Sequence, residues 1–558
     1  MHRRVSRLPS ALSLCLVALG SLIMVLHTTS SGAVVVSDSA AYLSAASNLS
    51  AGHSLSTDFV PETSRLTPTE QIGLRHQIPL VEYAPGYSVV IAGLHTLGPS
   101  ISASVRAVNG TALVLLVLLT ALALRYSTQA ALAVLVPITV IIIYGPTFKT
   151  LLGSLNPLGL ATMALSEAIF LPLCIAALIL GAKTAGTDKN LQYMTLVSLV
   201  VVTSLVRYVG MSVSPAVAVM ILMGNAQAIR ARVLRSIGVL SGSLLSVALW
   251  SELSAAVWGG GTAKAIAWHP QAVDLTLVVR VTTAWFWIPQ TWPSSIRNGV
   301  CAIALLGLPI LAIAAERRYR RHPGEQRPVG RILVVGIAVF MVTYMVSLLA
   351  TELMFDAQVP SDQRILEPLH YAVMLLGLSL LLRGLLGHAF ATRPTGLTSV
   401  STRIGMAIVL GVAALNGATS ISSMATTAAF ARRERMMSLS PVLKNVDRRS
   451  PIFANDTSRV WLAGLGSYHV PLRVVATTFR QNRKYLEEVQ FVTHYVAFHN
   501  GLIVISPAIA PLDVHVNDYL RGGELQVIGL CPGGVSILGA PGSTAAAAVS
   551  STCGGKSS

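Results

Sequence analysis

Between Arg7 and Asp38 the chain carries no Asp, Glu, Lys or Arg, and comparable charge-free apolar runs recur along its 558 residues. About 20 apolar residues in a helix cross the roughly 30 Å hydrocarbon core of a bilayer, so each such run is a candidate span. Only 11% of the residues are charged, less than half of the about 25% usual for a soluble domain. The chain therefore reads as an α-helical, polytopic membrane protein. Its formal charge of +17 does not imply a nucleic-acid partner. Much of the Lys and Arg lies in short loops between spans, where it sets topology and meets anionic lipid.

Eleven spans are expected, at about 8–27, 103–125, 129–146, 158–181, 191–207, 210–224, 235–258, 299–315, 330–352, 368–386 and 403–427. The first is read as a retained helix with a cytoplasmic N-terminus in the cell membrane; the alternative is a cleaved signal peptide ending near SSGA. Alternation then puts Arg125, Lys183, Lys189, Arg230, Arg232, Arg235, the basic 316–331 segment, Arg383, Arg393 and Arg403 inside. The outside receives sparser charge, in line with the positive-inside rule. The ARRER cluster at 431–435 would lie outside and runs against that rule.

Within a transmembrane domain of 1–430, residues 28–102 form a first extracytoplasmic loop. Loops beyond about 12–15 residues usually carry function or are disordered. This one has helical spacing from Ala41 to Leu49, with Gly52 where a C-cap would fall. The segment Ser88–Leu97 is too short to cross and is placed at the interface. Residues 440–541 change character, and a small extracytoplasmic α/β domain is expected there. Its strands are read in PIFAND, RVWLAGLG, GLIVISPA, LQVIGL and GVSILGA, with a helix within Arg480–His499. Residues 542–558 read as a disordered tail. Cys15, Cys174 and Cys301 fall in apolar runs and are read as packing residues; Cys531 and Cys553 could pair only in an oxidising compartment.

Asp38 stands just beyond the first span. A carboxylate there could accept a proton from a hydroxyl, or could simply cap the following helix. Glu82 precedes the Pro85-Gly86 turn, which could aim it at Asp38 as a second acid or shared metal ligand; a solvated loop acid is the plainer reading. Glu167 lies inside the expected 158–181 span, where a charge costs about 2.5–3.5 kcal/mol, so it should face a polar cavity or an arginine. Arg106, Arg207 and Arg364 each fall near an outer helix end. The planar fork of Arg suits phosphate, and snorkelling anchors are the alternative. Trp268, Trp285, Trp287 and Trp292 read first as an interfacial aromatic belt. His53, His76, His95 and His269 show no metal-ligand spacing, so no metal site is assigned.

Several short stretches, in order, resemble one family: Asp38-Ser-Ala-Ala-Tyr42 through Gly52-His53; Tyr83-Ala-Pro-Gly-Tyr87 with Gly98 and Arg106; Ser166-Glu167-Ala-Ile-Phe170; Arg207-Tyr208-Val-Gly210; and Arg364-Ile-Leu-Glu-Pro368. The chain resembles the GT-C-fold membrane glycosyltransferases, the group of protein O-mannosyltransferases and lipid A aminoarabinose transferases. The resemblance implies a polyprenyl-phosphate-linked sugar as donor, inverting transfer to an extracytoplasmic glycan, lipid or protein hydroxyl, and Asp38 as base. It implies Glu82 and Glu167 as further catalytic acids, and Arg106, Arg207 and Arg364 on the donor phosphate. Tyr42, His53, Tyr83, Tyr87 and Tyr208 would then line the substrate, with a divalent cation as an optional cofactor. The family's frequent Asp-Glu pair is here Asp38-Ser39, which removes one candidate acid. Two other classes stay open: a transporter or flippase of an envelope lipid, and a non-catalytic scaffold of the same fold.

Overall fold

The computed structural model describes residues 8–550 except for connecting stretches, chiefly 61–66, 75–77, 81–82, 146–148, 259–267, 269–274, 286–290, 320–327, 355–362, 392–410, 429–438, 476–479 and 507–513, and some scattered positions. Among the described residues seven helices are long and apolar enough to cross a membrane: Ala11–Thr28, Ile101–Thr128, Glu167–Thr184, Ile229–Ser254, Ser294–Ala312, Val329–Met354 and Arg364–Arg383. Val134–Ile143, Asn190–Val206 and Tyr208–Met223 are shorter apolar helices. These account for all the expected spans but the last, 403–427, which falls largely outside the described residues, as does the 431–435 cluster. The expected interfacial segment is the ten-residue helix Gly86–His95.

Helices that position the site are labelled in chain order: α1 (Leu8–Thr28), α2 (Ser37–Ser50), α3 (Pro68–Gly73), α4 (Gly86–His95), α5 (Ile101–Thr128), α6 (Glu167–Thr184), α7 (Asn190–Val206), α8 (Pro328–Met354) and α9 (Gln363–Ala391). Apolar side chains gain little from leaving lipid for protein, so the bundle is held by close packing. Gly110 of α5 meets Leu22 of α1, where an added Cβ would lie 2.7 Å from Leu22 Cδ1. Gly86 does the same for α4 and α7: its missing Cβ would stand 2.8 Å from Val206 Cγ2 and 2.9 Å from the Leu205 carbonyl oxygen. Gly86→Ala is therefore expected to cost about 1–3 kcal/mol as an overpacking substitution. Thermal unfolding of the purified full-length protein should show a lowered midpoint, and an unchanged midpoint would mean that the two helices can part freely.

One expected span is broken. The chain makes a single turn at Pro157–Leu160, capped by Asn156 Oδ1 on the Gly159 N–H at 2.9 Å, and becomes helical again only at Glu167. Glu167 is thus the first residue of α6, not a residue buried nine positions into a continuous helix. The intervening backbone is satisfied by partners within the protein, the condition under which irregular backbone is tolerated at membrane depth. Asn109 Nδ2 donates to the carbonyls of Ala161 (3.2 Å) and Met163 (2.6 Å). Val34 N–H donates to Thr162 O, and Ala164 N–H to Val34 O, both at 3.0 Å. The last two form a parallel bridge between Val34 and Met163.

The C-terminal unit is a five-stranded mixed sheet. Short strands of the first loop come first in the numbering: β1 (Ser56–Thr57) and β2 (Ile78–Pro79). The sheet itself holds β3 (Ile452–Ala454), β4 (Tyr468–His469), β5 (Leu502–Ile505), β6 (Gln526–Cys531) and β7 (Val535–Gly539), in the order β6-β7-β5-β3-β4. β3 is parallel to both β4 and β5; β7 is antiparallel to β5 and β6. Two expectations need correction here, and one is met. RVWLAGLG is not a strand: Asp456 accepts from the Arg459 N–H at 3.2 Å and caps the helix α10 (Thr457–Leu462). The expected helix is α11 (Tyr485–Phe498). The tail from 542 is not structureless throughout: α12 (Thr544–Ser550) seals one face of the sheet through Ala545 and the fully buried Val549. Asn500 Oδ1 holds its first turn by accepting from the Ala545 N–H at 3.2 Å. Cys531 is disulfide-bonded, while Cys15, Cys174 and Cys301 are free.

The first loop is not an appendage of the membrane domain alone. Phe59 forms a parallel bridge with Ser467 beside β4, and Val60 and Ile78 share a core with α11. The loop and the C-terminal sheet are thus packed against each other.

Candidate active site

α2 follows the expected helix, and Gly52, at φ 83°, takes the left-handed position after its end. Asp38 does not cap it. The N-cap is Val36, without a side-chain bond, and Asp38 occupies the first turn with its carboxylate turned to other partners. Arg364 Nη1 lies 2.6 Å from Asp38 Oδ2, and the Tyr83 hydroxyl donates to Asp38 Oδ1 at 3.3 Å.

The Val34–Met163 bridge explains why Glu167 is close by. Asp38 and Glu167 each follow a bridged residue by four positions, so two segments remote in sequence deliver their acids side by side. Glu167, 2% exposed, sits 2.5 Å from Arg207 Nη1 and 3.8 Å from Arg364 Nε. The result is an alternating chain of charges, Asp38–Arg364–Glu167–Arg207. Both readings of Glu167 hold at once: it pairs with a neighbouring arginine, and it faces the polar site.

Arg207 breaks α7, with extended φ −156° and ψ 127°, before the tight 3-10 turn Tyr208–Ser212. Its guanidinium also lies 6.0 Å from the centre of the Phe170 ring. Tyrosines wall the network. Tyr42 packs edge-on to Tyr83 at 5.3 Å and to Tyr87 at 5.4 Å. The hydroxyls of Tyr42 and Ser166 are bonded at 3.2 Å, and Ser166 reaches Glu167 Oε2 at 3.3 Å. Tyr208 donates to the Tyr83 carbonyl at 3.1 Å. Burial, and then Glu167, push the Tyr42 phenol above its ordinary range, so it stays protonated at neutral pH. Burial does the same for Tyr87, whose hydroxyl donates to Asn109 Oδ1 at 3.0 Å.

The remaining candidates divide. Arg106 lies on α5 one turn before Asn109, half buried, and its Nε has no hydrogen-bond partner among the described residues. His53 is exposed beyond the far end of α2, about 20 Å along the helix from Asp38, and is set aside as a substrate ligand. Glu82 lies outside the described residues. Ser39 is fully buried, with no partner for its hydroxyl among the described residues.

Three residues near the site escaped the sequence reading. Asn109 ties Tyr87 to the broken segment before Glu167, and an amide inside the apolar run of α5 was its only signal. Glu367 and His370, one and two turns beyond Arg364, form a buried pair at 3.1 Å against the Trp285 ring.

No family model and no curated protein matches the chain. Solved structures do. ArnT from Cupriavidus metallidurans in the apo state superposes with a TM-score of 0.54 at 13% identity, over 98% of this chain and all of that one. The chain has the fold of ArnT. The same enzyme bound to undecaprenyl phosphate gives a TM-score of 0.52 at 12% identity, over 95% of this chain and 97% of that one. The expected GT-C-like architecture of a helical membrane domain with a small C-terminal sheet region is therefore the observed one. At these identities the likeness is one of fold.

Proposed function

We propose that this chain is a multi-pass membrane glycosyltransferase that moves a sugar from a polyprenyl phosphate to an extracytoplasmic acceptor hydroxyl. The observation that carries the reading is the Asp38–Arg364–Glu167–Arg207 chain, with tyrosines around it and a fold in which undecaprenyl phosphate binds the ArnT of C. metallidurans. Asp38 is the general base. It takes the acceptor proton as the hydroxyl oxygen attacks the anomeric carbon, the bond to the phosphate oxygen breaks, and the configuration inverts. Arg207 and Arg364 receive the charge that develops on the leaving phosphate, an electrostatic role that needs preset donors. Glu167 orients both guanidiniums.

Charge balance supports a phosphate at this place. Among the described residues, the two carboxylates and two guanidiniums of this chain of charges sum to zero, so an incoming phosphodiester calls for one further cation. Arg106, with its unpartnered Nε, supplies it. A phosphate that claims Arg364 also withdraws it from Asp38, so donor binding releases the base when it is needed. The disulfide at Cys531 fits an oxidising, extracytoplasmic C-terminal unit.

Undecaprenyl phosphate itself is the probe. The full-length protein in lipid nanodiscs should bind it by native mass spectrometry, and Arg106→Gln should weaken binding about tenfold, the scale of one charge-assisted contact. Equal affinity in wild type and variant removes Arg106 from the donor site. Absence of any binding by wild type overturns the donor assignment.

A further inference from the structure

Helix α2 is gripped at both ends. Its first turn meets the membrane domain through Asp38 and Arg364. Its second half is held by Asp58, whose carboxylate accepts from Ser44 Oγ (3.2 Å), Asn48 Nδ2 (3.0 Å) and, from the C-terminal unit, Trp461 Nε1 (3.4 Å). The Asp58 N–H donates back to Ser44 Oγ at 2.9 Å. No Lys, Arg or His pairs with this carboxylate among the described residues. Its charge is spent on neutral donors from two separate parts of the chain, and such charge-assisted bonds are roughly twice as strong as neutral ones.

The backbone around Asp58 is fastened to the C-terminal sheet. Ser467 N–H donates to Asp58 O (3.3 Å), Val60 N–H to Ser467 O (3.1 Å), and Thr457 Oγ1 to Val60 O (2.8 Å). Farther along the loop, Gln71 of α3 accepts from the His469 N–H at 2.8 Å. His469 ends β4, beside parallel β3. In doubly wound sheets the carboxyl end of parallel strands, where the connections diverge, is the usual ligand-binding crevice. Here β3 continues through α10 to β4, and β4 through α11 to β5 on the other side of β3. The chain fills that place with its own first loop. Phe59 against Trp461 (6.0 Å), with Ala40, Ala41, Ala45, Leu55 and Leu80, seals the joint.

We propose that Asp58 is a positioning residue and that the C-terminal sheet is part of the catalytic unit, setting Asp38 against Arg364 through α2. The proposal rests on the reading of Asp38 as the base. Ser44 and Asn48 lie about 9 and 15 Å along the helix from Asp38, a span over which a packed helix moves as one piece. A displacement of about 1 Å at a reacting group can cost 10²-fold in rate.

The test uses the full-length protein in nanodiscs with Asp58→Ala, Asp58→Asn and Trp461→Phe. Asp58→Ala should speed amide hydrogen exchange in Ser37–Ser50 about tenfold, for loss of a charged acceptor of several bonds. It should lower the turnover number for release of undecaprenyl phosphate from the polyprenyl-phosphate sugars of host membranes by about tenfold or more. Affinity for undecaprenyl phosphate should stay within about twofold, because the arginines are untouched. Asp58→Asn keeps an acceptor for Ser44 and Trp461 and should recover most of the loss. Trp461→Phe keeps the ring packing, removes one donor, and tests the link should Asp58→Ala fail to fold. Unchanged exchange in α2, or faster exchange with unchanged turnover, overturns the proposal. So does a loss of phosphate affinity in step with turnover, which marks a merely structural residue. Full turnover in Asp38→Asn would instead refute the base assignment, while the exchange data would still judge the coupling.

Discussion

Asp38→Asn is expected to lower the rate of sugar transfer by about 10²–10⁴, the usual contribution of a general base. The change is nearly isosteric. The asparagine oxygen can keep the 2.6 Å contact to Arg364, and its NH2 group can donate to the Tyr83 hydroxyl, which now accepts at the second position. What is lost is the capacity to take a proton. Release of undecaprenyl phosphate from donor glycolipids, followed by mass spectrometry, reads the rate without requiring the acceptor to be known. Undecaprenyl phosphate binding should persist and need not weaken, because Arg364 loses a competing carboxylate. A variant that transfers at the wild-type rate would remove Asp38 from the chemistry. A variant that neither binds nor transfers would make Asp38 a structural ion-pair partner only.

Much of this arrangement was legible before the structure. The charge-free runs give the spans, because bilayer thickness fixes how long an apolar helix must be. The outer arginines and Asp38 were visible as polar residues at helix ends. Their meeting was not, since Asp38 and Arg364 are separated by 326 positions and no local period relates them. The 158–181 run misled for a physical reason. Hydropathy records that a segment is apolar, whereas helix continuity there is broken by hydrogen bonds from Asn109 and Val34, which come from other parts of the chain. RVWLAGLG misled differently. Its short apolar run between turn residues suits a strand, but Asp456, three residues before it, supplies a cap, and the local hydrogen bond decided in favour of helix. Asp58 was visible only as one more acid of a long loop. Its role depends on Trp461, 403 residues away.

Arg207→Ala should be the most damaging single change to stability. Glu167 has 3% of its side-chain surface exposed, and its short contact is the one to Arg207 at 2.5 Å; Arg364 Nε, at 3.8 Å, is beyond hydrogen-bond range. Removing Arg207 leaves the buried carboxylate with the Ser166 hydroxyl and only the long contact to Arg364, and losing one partner of a buried pair costs about 3–5 kcal/mol. The double variant Arg207→Ala/Glu167→Ala removes both charges and should recover much of that loss, since a buried pair gains little over apolar replacement once its desolvation is counted. Thermal midpoints of the purified full-length proteins compare the two. Undecaprenyl phosphate binding then separates scaffold from site. If Arg207 serves only to neutralise Glu167, the double variant should bind the probe as wild type does. If it serves the donor phosphate, the double variant should be stable and still bind at least about tenfold more weakly, the scale of one charge-assisted contact. The second outcome is expected, because Arg207 stands at a break between two helices, where a residue used only to fill the bundle would not need an extended backbone and a guanidinium set between Glu167 and the Phe170 ring.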